Sequence, residues 1–263
     1  MKIIRGKKAL VTGAASGIGR AIALALAQEG ASLCLLDMDG ANLDATARDV
    51  SECGVAVVTR VCDLGRPDEV SAAVSFVRDT WDCLNILVNN AGIAFRGPTH
   101  DMSAEHWDRV IAVNLLAPIQ LTRELLPMLR ANEAHIVNVC SIFGLVTTRK
   151  AAAYQTAKFG LVGFTAALRS EYGGPDFGVT ALCPGFVRTA MMEGVTESEP
   201  HKAPPGWMYA NPKTVATKAV AAIRNNRGIV VVTTAARAGW WLARLSPGLV
   251  DWLTRRGWRD WRK

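Results

Sequence analysis

The stretch KALVTGAASGIGRAIALALAQEG, residues 8–30, decides the fold of this chain. A short apolar run ends at Thr12, a turn then carries Gly13, Gly17 and Gly19, and an Ala- and Leu-rich segment follows. Glycines between a strand and a helix let the backbone approach an anion, whose charge is stabilised by the free N–H groups of the first helical turn. The stretch therefore predicts a strand, a phosphate-binding turn and a helix.

Six further apolar runs repeat the strand pattern along the chain of 263 residues. In order they are SLCLLD, VAVVTRVCD, LNILVNN, HIVNVCS, VTALCPG and GIVVVTT. Helix-patterned segments long enough for crossover connections separate them, and runs that are apolar on both faces are typical of a parallel sheet covered on both sides. The sequence predicts one doubly wound α/β domain over residues 1–236.

The second apolar run ends in Asp37, about twenty residues beyond the glycines, where a nucleotide-binding carboxylate is expected. A carboxylate there accepts hydrogen bonds from the 2′- and 3′-hydroxyls of an adenosine ribose and repels a 2′-phosphate. The turn GAASG contains no Arg or Lys that would receive such a phosphate. The sequence therefore predicts NAD as the cofactor in preference to NADP.

A phenol and an ammonium stand four residues apart in YQTAK, residues 154–158. The surrounding segment, residues 149–172, has the composition of a helix, and residues four apart on a helix lie on the same face. The side chains of Tyr154 and Lys158 are therefore expected to point toward the same site.

Seven motifs follow one another along the chain: TGAASGIG, CDL at residues 62–64, NNAG at residues 89–92, Asn114 in AVNLLAP, Ser141 in NVCSIFG, YQTAK, and PGFVRT at residues 184–189. In this order they resemble the motifs of the short-chain dehydrogenase/reductase family, over about residues 6–235. The resemblance implies a Rossmann-type fold and an oxidoreductase that transfers hydride between an alcohol and a nicotinamide.

The resemblance implies that Tyr154 is the general acid/base. Taking a hydride from an alcohol requires removal of the hydroxyl proton, and a phenol with an ordinary pKa of about 10 is a poor base at neutral pH. The ammonium of Lys158, helped by the positive nicotinamide, is expected to lower that pKa. Ser141 is expected to hydrogen-bond the substrate oxygen, and Asn114 to bend its helix and hold a water that links Lys158 to solvent.

The resemblance also implies the cofactor contacts. Lys158 is expected to hold the nicotinamide ribose, Asp63 and Leu64 to contact the adenine, and residues 184–189 to hold the nicotinamide amide. The expected cofactor-binding residues are Gly13, Ser16, Gly17, Ile18, Gly19, Asp37, Asp63, Leu64, Asn90, Ala91, Gly92, Tyr154, Lys158, Pro184, Gly185, Val187 and Thr189.

The cysteines and histidines predict neither disulfides nor a metal. The six cysteines form no CxxC pair and several stand in apolar runs, as core thiols do in a reducing cytoplasm. The four histidines share no metal-ligand spacing, and hydride transfer to nicotinamide needs no metal. We found neither a signal peptide nor an apolar run of membrane-spanning length, so we expect a cytoplasmic protein.

Residues 237–263 predict a basic, Trp-rich helical extension. They hold seven basic and two acidic residues and five of the eight tryptophans. Leu242, Leu245, Leu249 and Trp252 recur at three- and four-residue steps, and Pro247 can start a second short helix. The extension either packs on its own domain or a partner subunit, or lies on a membrane surface. Nucleic-acid binding is disfavoured by the small charge excess.

Residues 188–210 interrupt the alternation of strands and helices with three prolines and two glycines in a polar stretch. Such an insert is a lid or binding loop, or else a plain surface loop. Because Trp207, Met208 and Tyr209 would line the entrance with apolar groups, the sequence favours a bulky apolar substrate.

Together these patterns predict an NAD(H)-dependent oxidoreductase acting on a hydrophobic secondary alcohol or ketone, such as a steroid, retinoid or lipid-like alcohol. Two alternatives are a 3-oxoacyl thioester reductase and a cofactor-binding sensor or scaffold without turnover. The resemblance also implies a homodimer or homotetramer, assembled through the helices that bear Asn114 and Tyr154.

Overall fold

A computed structural model describes residues 1–95, 97–188 and 206–256. The strands are β1 Lys8–Thr12, β2 Ser32–Asp37, β3 Val57–Val61, β4 Ile86–Asn89, β5 Ala134–Val139, β6 Phe177–Cys183, β7 Phe186–Val187, β8 Tyr209–Ala210 and β9 Ile229–Val231. The α-helices are α1 Gly17–Gln28, α2 Gly40–Ser51, α3 Pro67–Thr80, α4 Ala104–Ile111, α5 Ala117–Arg130, α6 Ala152–Tyr172, α7 Pro212–Arg224, α8 Thr234–Leu245 and α9 Pro247–Arg256.

Seven of the strands form one parallel sheet in the order β3-β2-β1-β4-β5-β6-β9. The chain builds outward from β1 to β3 and then returns to the other side of β1, so the strand order reverses between β1 and β4. Ligands of open α/β sheets bind at the carboxyl ends of the strands next to such a reversal. The doubly wound α/β fold that the sequence predicts is confirmed, and its topology fixes where a site is expected.

Alternate residues of the strands supply two separate cores. Ala9 and Val11 of β1 pack with α1, α2 and α7, whereas Leu10 packs on the other face with α3, α5 and α6. Strands buried on both faces explain the continuous apolar runs in the sequence. Helices therefore cover both faces of the sheet, which leaves its carboxyl edge open for the loops.

Two helices depart from the lengths that the sequence predicts. Helix α6 begins at Ala152 and not at Arg149, because Lys150 adopts a positive φ of 61° that a helix cannot contain. The helix expected to run through Asn114 contains a π-helical segment, Ala112–Leu116, between α4 and α5. Such a segment inserts an extra residue into a helical turn and is frequent at functional sites.

Most of the predicted insert at residues 188–210, including Thr189, lies outside the described residues. Trp258 and Trp261 also lie outside them. The two ends of the insert are held together, because Phe186 pairs with Tyr209 and Val187 with Ala210 in the small parallel sheet β7–β8. After the insert, the side chain of Asn211 accepts a hydrogen bond from Lys213 N at 2.9 Å and caps α7. Helices α8 and α9 follow β9, and α9 begins at Pro247 as predicted.

Candidate active site

The turn between β1 and α1 has the backbone of an anion site. Gly13 and Gly17 adopt positive φ angles of 64° and 56°, which residues with a Cβ rarely adopt. A Cβ on Gly19 would lie 1.9 Å from the carbonyl oxygen of Gly13, so the turn closes tightly only with glycine there. The N-cap, Ser16, makes no side-chain capping bond in the structure. The first N–H groups of α1 are thus oriented for a phosphate, and the cradle fits a pyrophosphate.

The NNAG motif braces this turn from β4. The Nδ2 of Asn90 donates to the carbonyls of Thr12 at 2.9 Å and Gly13 at 3.1 Å. The hydroxyl of Thr12 in turn accepts from the backbone of Asn90 at 2.9 Å and of Ala91 at 3.1 Å. These bonds fix the carboxyl ends of β1 and β4 relative to each other at the reversal point.

Asp37 lies at the carboxyl end of β2, beside the glycine turn. Its Oδ2 accepts from Ala15 N at 2.9 Å, and its Oδ1 accepts from Asp39 N at 3.1 Å. Carboxylate oxygens have more than one lone pair, so Asp37 can accept further bonds from ribose hydroxyls. The two backbone bonds hold the carboxylate toward the cavity whose wall it forms.

A cavity of about 550 Å³ runs along the carboxyl edge of the sheet. Its wall brings together sixteen of the residues predicted from the sequence, namely Gly13, Ser16, Gly17, Ile18, Asp37, Asp63, Leu64, Asn90, Ala91, Gly92, Ser141, Tyr154, Lys158, Pro184, Gly185 and Val187. Gly19 and Asn114 do not line it but lie behind the wall. The nineteenth, Thr189, is outside the described residues.

Ser141, Tyr154 and Lys158 meet at one end of this cavity. Ser141 follows β5, and its side chain hydrogen-bonds that of Tyr154. The Nζ of Lys158 lies 5.7 Å from the centroid of the Tyr154 ring and donates to the carbonyl of Val139 at 2.9 Å. The helical spacing of YQTAK thus brings the phenol and the ammonium to the same place, as predicted.

The pKa of Tyr154 in the structure differs from the expectation that it is lowered. Burial raises the pKa of Tyr154 to about 12, although the hydrogen bond with Ser141 acts in the opposite direction. Burial also lowers the pKa of Lys158, because it disfavours the ammonium. The chain by itself therefore does not lower the pKa of the phenol, since desolvation outweighs the effect of the hydrogen bond with Ser141.

Asn114 lies directly behind Gly92 and Lys158. Its Nδ2 donates to the carbonyls of Ile93 at 2.8 Å and Val110 at 2.9 Å, while its buried Oδ1 has no hydrogen-bond partner within the described residues. A Cβ on Gly92 would lie 2.6 Å from this Oδ1 and 3.7 Å from the Nζ of Lys158. The π-helical segment therefore directs a buried acceptor toward the space beside the lysine.

Asp63 has a partner that the sequence reading missed. The Arg109 guanidinium binds both carboxylate oxygens, at 3.0 and 2.9 Å, and Gly65 N donates to Oδ1 at 2.9 Å. Burial would raise the pKa of Asp63, but these donors hold it below its ordinary value. Arg109 also lines the cavity. Arg109 and Asp63 are 46 residues apart in the sequence, so no local motif indicated that they pair.

The sequence reading also missed the aromatic residues in the cavity wall. Phe95, Phe143 and Phe186 line the cavity. The backbone N of Phe143 donates to Ser141 Oγ at 3.1 Å, and the rings of Phe143 and Phe186 pack edge to face with centroids 5.7 Å apart. Phe186 also contacts Tyr209, at 5.8 Å between centroids. These aromatics come from three separate segments of the chain, so no single stretch of sequence reveals them.

Two thiols lie near Lys158. The side chains of Cys140 and Cys183, at the ends of β5 and β6, hydrogen-bond each other, and the charge of Lys158 acts on both. Cys140 also lines the cavity. All six cysteines are free thiols.

Among the described residues, no cluster of three or more His, Cys, Asp or Glu side chains could hold a metal ion. None of the helices in the described ranges is both long enough and apolar enough to cross a membrane.

Comparisons with known proteins find a family model and several relatives that match this chain. Residues 7–200 match the family model described as short chain dehydrogenase. A D-beta-hydroxybutyrate dehydrogenase of Cupriavidus necator is 34% identical over 203 residues, which are 76% of this chain and 78% of the relative. A 3-oxoacyl-[acyl-carrier-protein] reductase of Thermotoga maritima is 35% identical over 195 residues, 74% of this chain and 79% of the relative.

Solved structures of two further proteins superpose closely on this chain. A short chain dehydrogenase/reductase of Burkholderia phymatum in complex with NAD superposes with a TM-score of 0.83, at 27% identity over 95% of this chain and 96% of the other. A variant of actinorhodin polyketide ketoreductase with NADPH gives a TM-score of 0.81, at 31% identity over 90% of this chain and 99% of the other. The fold, the motifs and these matches lead to the same conclusion: the chain belongs to the short-chain dehydrogenase/reductase family of nicotinamide-dependent oxidoreductases.

Proposed function

We propose that this protein is an NAD(H)-dependent oxidoreductase that interconverts hydrophobic secondary alcohols and ketones. The observation that supports this most directly is the group of Ser141, Tyr154 and Lys158 at the aromatic end of the cavity. An acid/base, a hydroxyl donor and a cation converge there at the end of a Rossmann-type cleft, which is what alcohol oxidation with proton removal requires.

Tyr154 is the proposed acid/base. In alcohol oxidation its phenolate takes the hydroxyl proton, and in ketone reduction its O–H returns a proton to the substrate oxygen. Ser141 hydrogen-bonds the same oxygen and stabilises charge that develops on it. An oxidised nicotinamide supplies the hydride acceptor and a positive charge when it is bound. Since burial raises the pKa of Tyr154 to about 12 in the chain by itself, we expect alcohol oxidation to speed up with rising pH.

Lys158 and Asn114 form the proposed proton path. The Nζ of Lys158 is held by Val139 O and has further N–H groups for ribose hydroxyls. Asn114 Oδ1 is the nearby buried acceptor, and a water between it and the lysine would satisfy both. Asn114 is thus a positioning residue that links Lys158 to solvent.

Asp37 supports NAD over NADP. The carboxylate at the end of β2 lines the cavity, and a 2′-phosphate beside it would meet a like charge. We propose that Asp37 binds the adenosine ribose, that Asp63 and Leu64 border the adenine, and that the backbone of residues 184–189 holds the nicotinamide amide. In this arrangement the bond from Arg109 orients Asp63.

The aromatic wall supports an apolar substrate. Phe95, Phe143 and Phe186 offer a face for a bulky hydrocarbon skeleton, such as that of a steroid, a retinoid or a lipid-like alcohol, while Ser141 and Tyr154 offer its polar end a pair of hydroxyls. The free cysteines are consistent with the reducing cytoplasm that we propose as its compartment. No nucleic-acid role is proposed.

A 3-oxoacyl thioester reductase is the second candidate, because several relatives carry names of this kind. Asp37 and the extension after β9 favour the first. A sensor or scaffold without turnover is disfavoured by the intact group of Ser141, Tyr154 and Lys158.

The test is a matrix of initial rates. NAD⁺ and NADP⁺ are each combined with secondary alcohols graded from short aliphatic to steroid-sized, and 3-oxoacyl thioesters are assayed in the reverse direction. We expect kcat/KM to favour NAD⁺ and to rise with the apolar size of the alcohol.

The matched variants are Asp37→Asn and Asp39→Asn. Asp37→Asn should reduce the preference for NAD⁺ roughly 10- to 100-fold, the value of a hydrogen bond to a charged group. Asp39 is two residues away and caps α2, and Asn also caps well, so Asp39→Asn should leave the preference unchanged. Wild-type preference for NADP⁺ would contradict the role of Asp37, and a preference for small polar alcohols or thioesters would contradict the substrate class.

A further inference from the structure

Helices α8 and α9 each direct three large apolar residues to solvent. On α8, Trp241, Leu242 and Leu245 are exposed, and on α9 Leu249, Trp252 and Leu253 are exposed, at spacings of three and four residues that put each set on one helical face. Leu245 is 79% exposed. We call these six residues the α8–α9 face. Large apolar residues grouped in this way on a surface mark an interaction site.

The opposite side of α8 is already packed. Ala236 is buried and Trp240 is partly buried against the cluster that contains Cys140, Leu161 and Cys183. A Cβ on Gly185, which lines the cavity, would lie 3.4 Å from the Cβ of Ala236. Helix α8 is therefore fixed to the cavity wall through one side, and the α8–α9 face is not needed for this packing.

The two helices that carry the α8–α9 face also carry exposed arginines. Arg237, Arg244 and Arg255 are exposed, Arg244 lies over the ring of Trp240 at 5.4 Å, and Asp251 is paired with Arg255. The sequence after α9 adds Arg259, Arg262 and Lys263 against Asp260. Apolar and Trp side chains among arginines are the composition of helices that lie in the interface of anionic membranes.

We propose that the α8–α9 face docks this protein on an anionic lipid surface. The helices are 12 and 10 residues long, which is too short to cross a bilayer, so they would lie in its plane. A second copy of this chain is a poorer occupant, because a two-fold interface would bring the same arginines opposite each other. The inference does not depend on the proposed chemistry, because it concerns binding.

The test is flotation of the full-length protein with lipid vesicles. Vesicles of pure phosphatidylcholine are compared with vesicles that contain an equal share of phosphatidylglycerol, at low and high salt. We expect binding to the anionic vesicles with an affinity at least ten-fold higher than to the neutral ones, weakening with salt. The double variant Leu245→Ser with Leu253→Ser, and separately Arg244→Glu, should each lose about ten-fold in affinity.

Two control variants change exposed residues elsewhere. Ile3→Ser removes a side chain that is 69% exposed, and Lys218→Glu reverses a charge on the exposed side of α7, so both should bind as the wild type does. No binding to anionic vesicles, or equal binding to neutral ones, would overturn the proposal. A lower oligomer mass in the leucine variant, measured by light scattering without lipid, would also overturn it, because the face would then join subunits.

Discussion

His135 is a buried histidine in β5 that the proposed chemistry does not use. Its Nε2 lies 2.7 Å from the Thr180 hydroxyl, and its Nδ1 has no partner in the described part of the chain. Burial lowers the pKa of His135 to about 3, well below its ordinary value of 6.5. The folded protein therefore keeps this ring neutral under conditions in which the unfolded chain protonates it.

This difference predicts a loss of stability in mild acid. Between pH 6.5 and about 3 the unfolded state binds one proton more than the folded state, so the free energy of unfolding falls as the pH falls. We expect a loss of about 2 kcal/mol between pH 6.5 and about 5, above the range in which carboxylates titrate. Urea unfolding across this range measures it.

The variants His135→Gln and His106→Gln separate this effect from others. Without the buried ring, the slope of stability against pH should flatten above about pH 5, whereas loss of the exposed His106 should leave it unchanged. Equal slopes in all three proteins would show that His135 is not the group responsible.

Single residues differ in how well the sequence reveals them. Tyr154 and Lys158 could be predicted to meet, because residues four apart on a helix lie on the same face. Arg109 and the three phenylalanines could not, because segments far apart in the sequence bring them to the cavity. The high pKa of Tyr154 was also not predictable, since it depends on burial that only the folded chain creates.

Among the structural elements, the β1–α1 turn depends most strictly on its residues. A Cβ at position 19 would overlap the Gly13 carbonyl at 1.9 Å, so the turn would have to open. We expect Gly19→Ala to weaken NADH binding at least ten-fold, measured by titration of nicotinamide fluorescence.

A glycine in α6 provides the matched control. A Cβ on Gly163 would meet no atom within 4 Å, so Gly163→Ala should keep NADH affinity and stabilise the helix by up to about 1 kcal/mol. If both variants bind NADH like the wild type, the glycine turn does not hold the pyrophosphate.

Elements with a strong period were predictable, and irregular ones were not. The seven main strands and the cap of α7 follow from apolar runs and from Asn-Pro. The π-helical segment at Asn114 was expected only as a bend, because a one-residue insertion leaves the surrounding apolar pattern readable as continuous helix. The two-residue strands β7 and β8 are too short to show any alternation.

At the scale of the whole molecule, the parallel sheet was predictable because its five inner strands, β2, β1, β4, β5 and β6, are buried on both faces. Two exposed apolar residues suggest where copies of the chain associate. Leu116 and Phe159 are large apolar residues that remain 54% and 41% exposed, on the π-helical segment and on α6. These two elements pack against each other, as the contact of Leu115 with Gly160 shows. We propose that this exposed surface joins subunits in a homodimer or homotetramer.

Light scattering tests the proposed association. The wild type should have the mass of two or four chains, and Phe159→Asp should lower it by at least half, because the charge would be buried without a partner. Val61→Asp, at a position on the edge strand β3 that is 61% exposed, should leave the mass unchanged. A monomeric wild type, or an unchanged mass in Phe159→Asp, would contradict this assembly.

The most direct measurement of the central claim is turnover by Tyr154→Phe, assayed by nicotinamide absorbance together with NADH binding. Tyr172→Phe, at the far end of the same helix, is the control. The account predicts that Tyr154→Phe loses about 100- to 10,000-fold in kcat, the usual contribution of a general acid/base, with NADH affinity retained. Turnover that survives in Tyr154→Phe, or a wild type that binds NADH and reduces no ketone, would contradict the account.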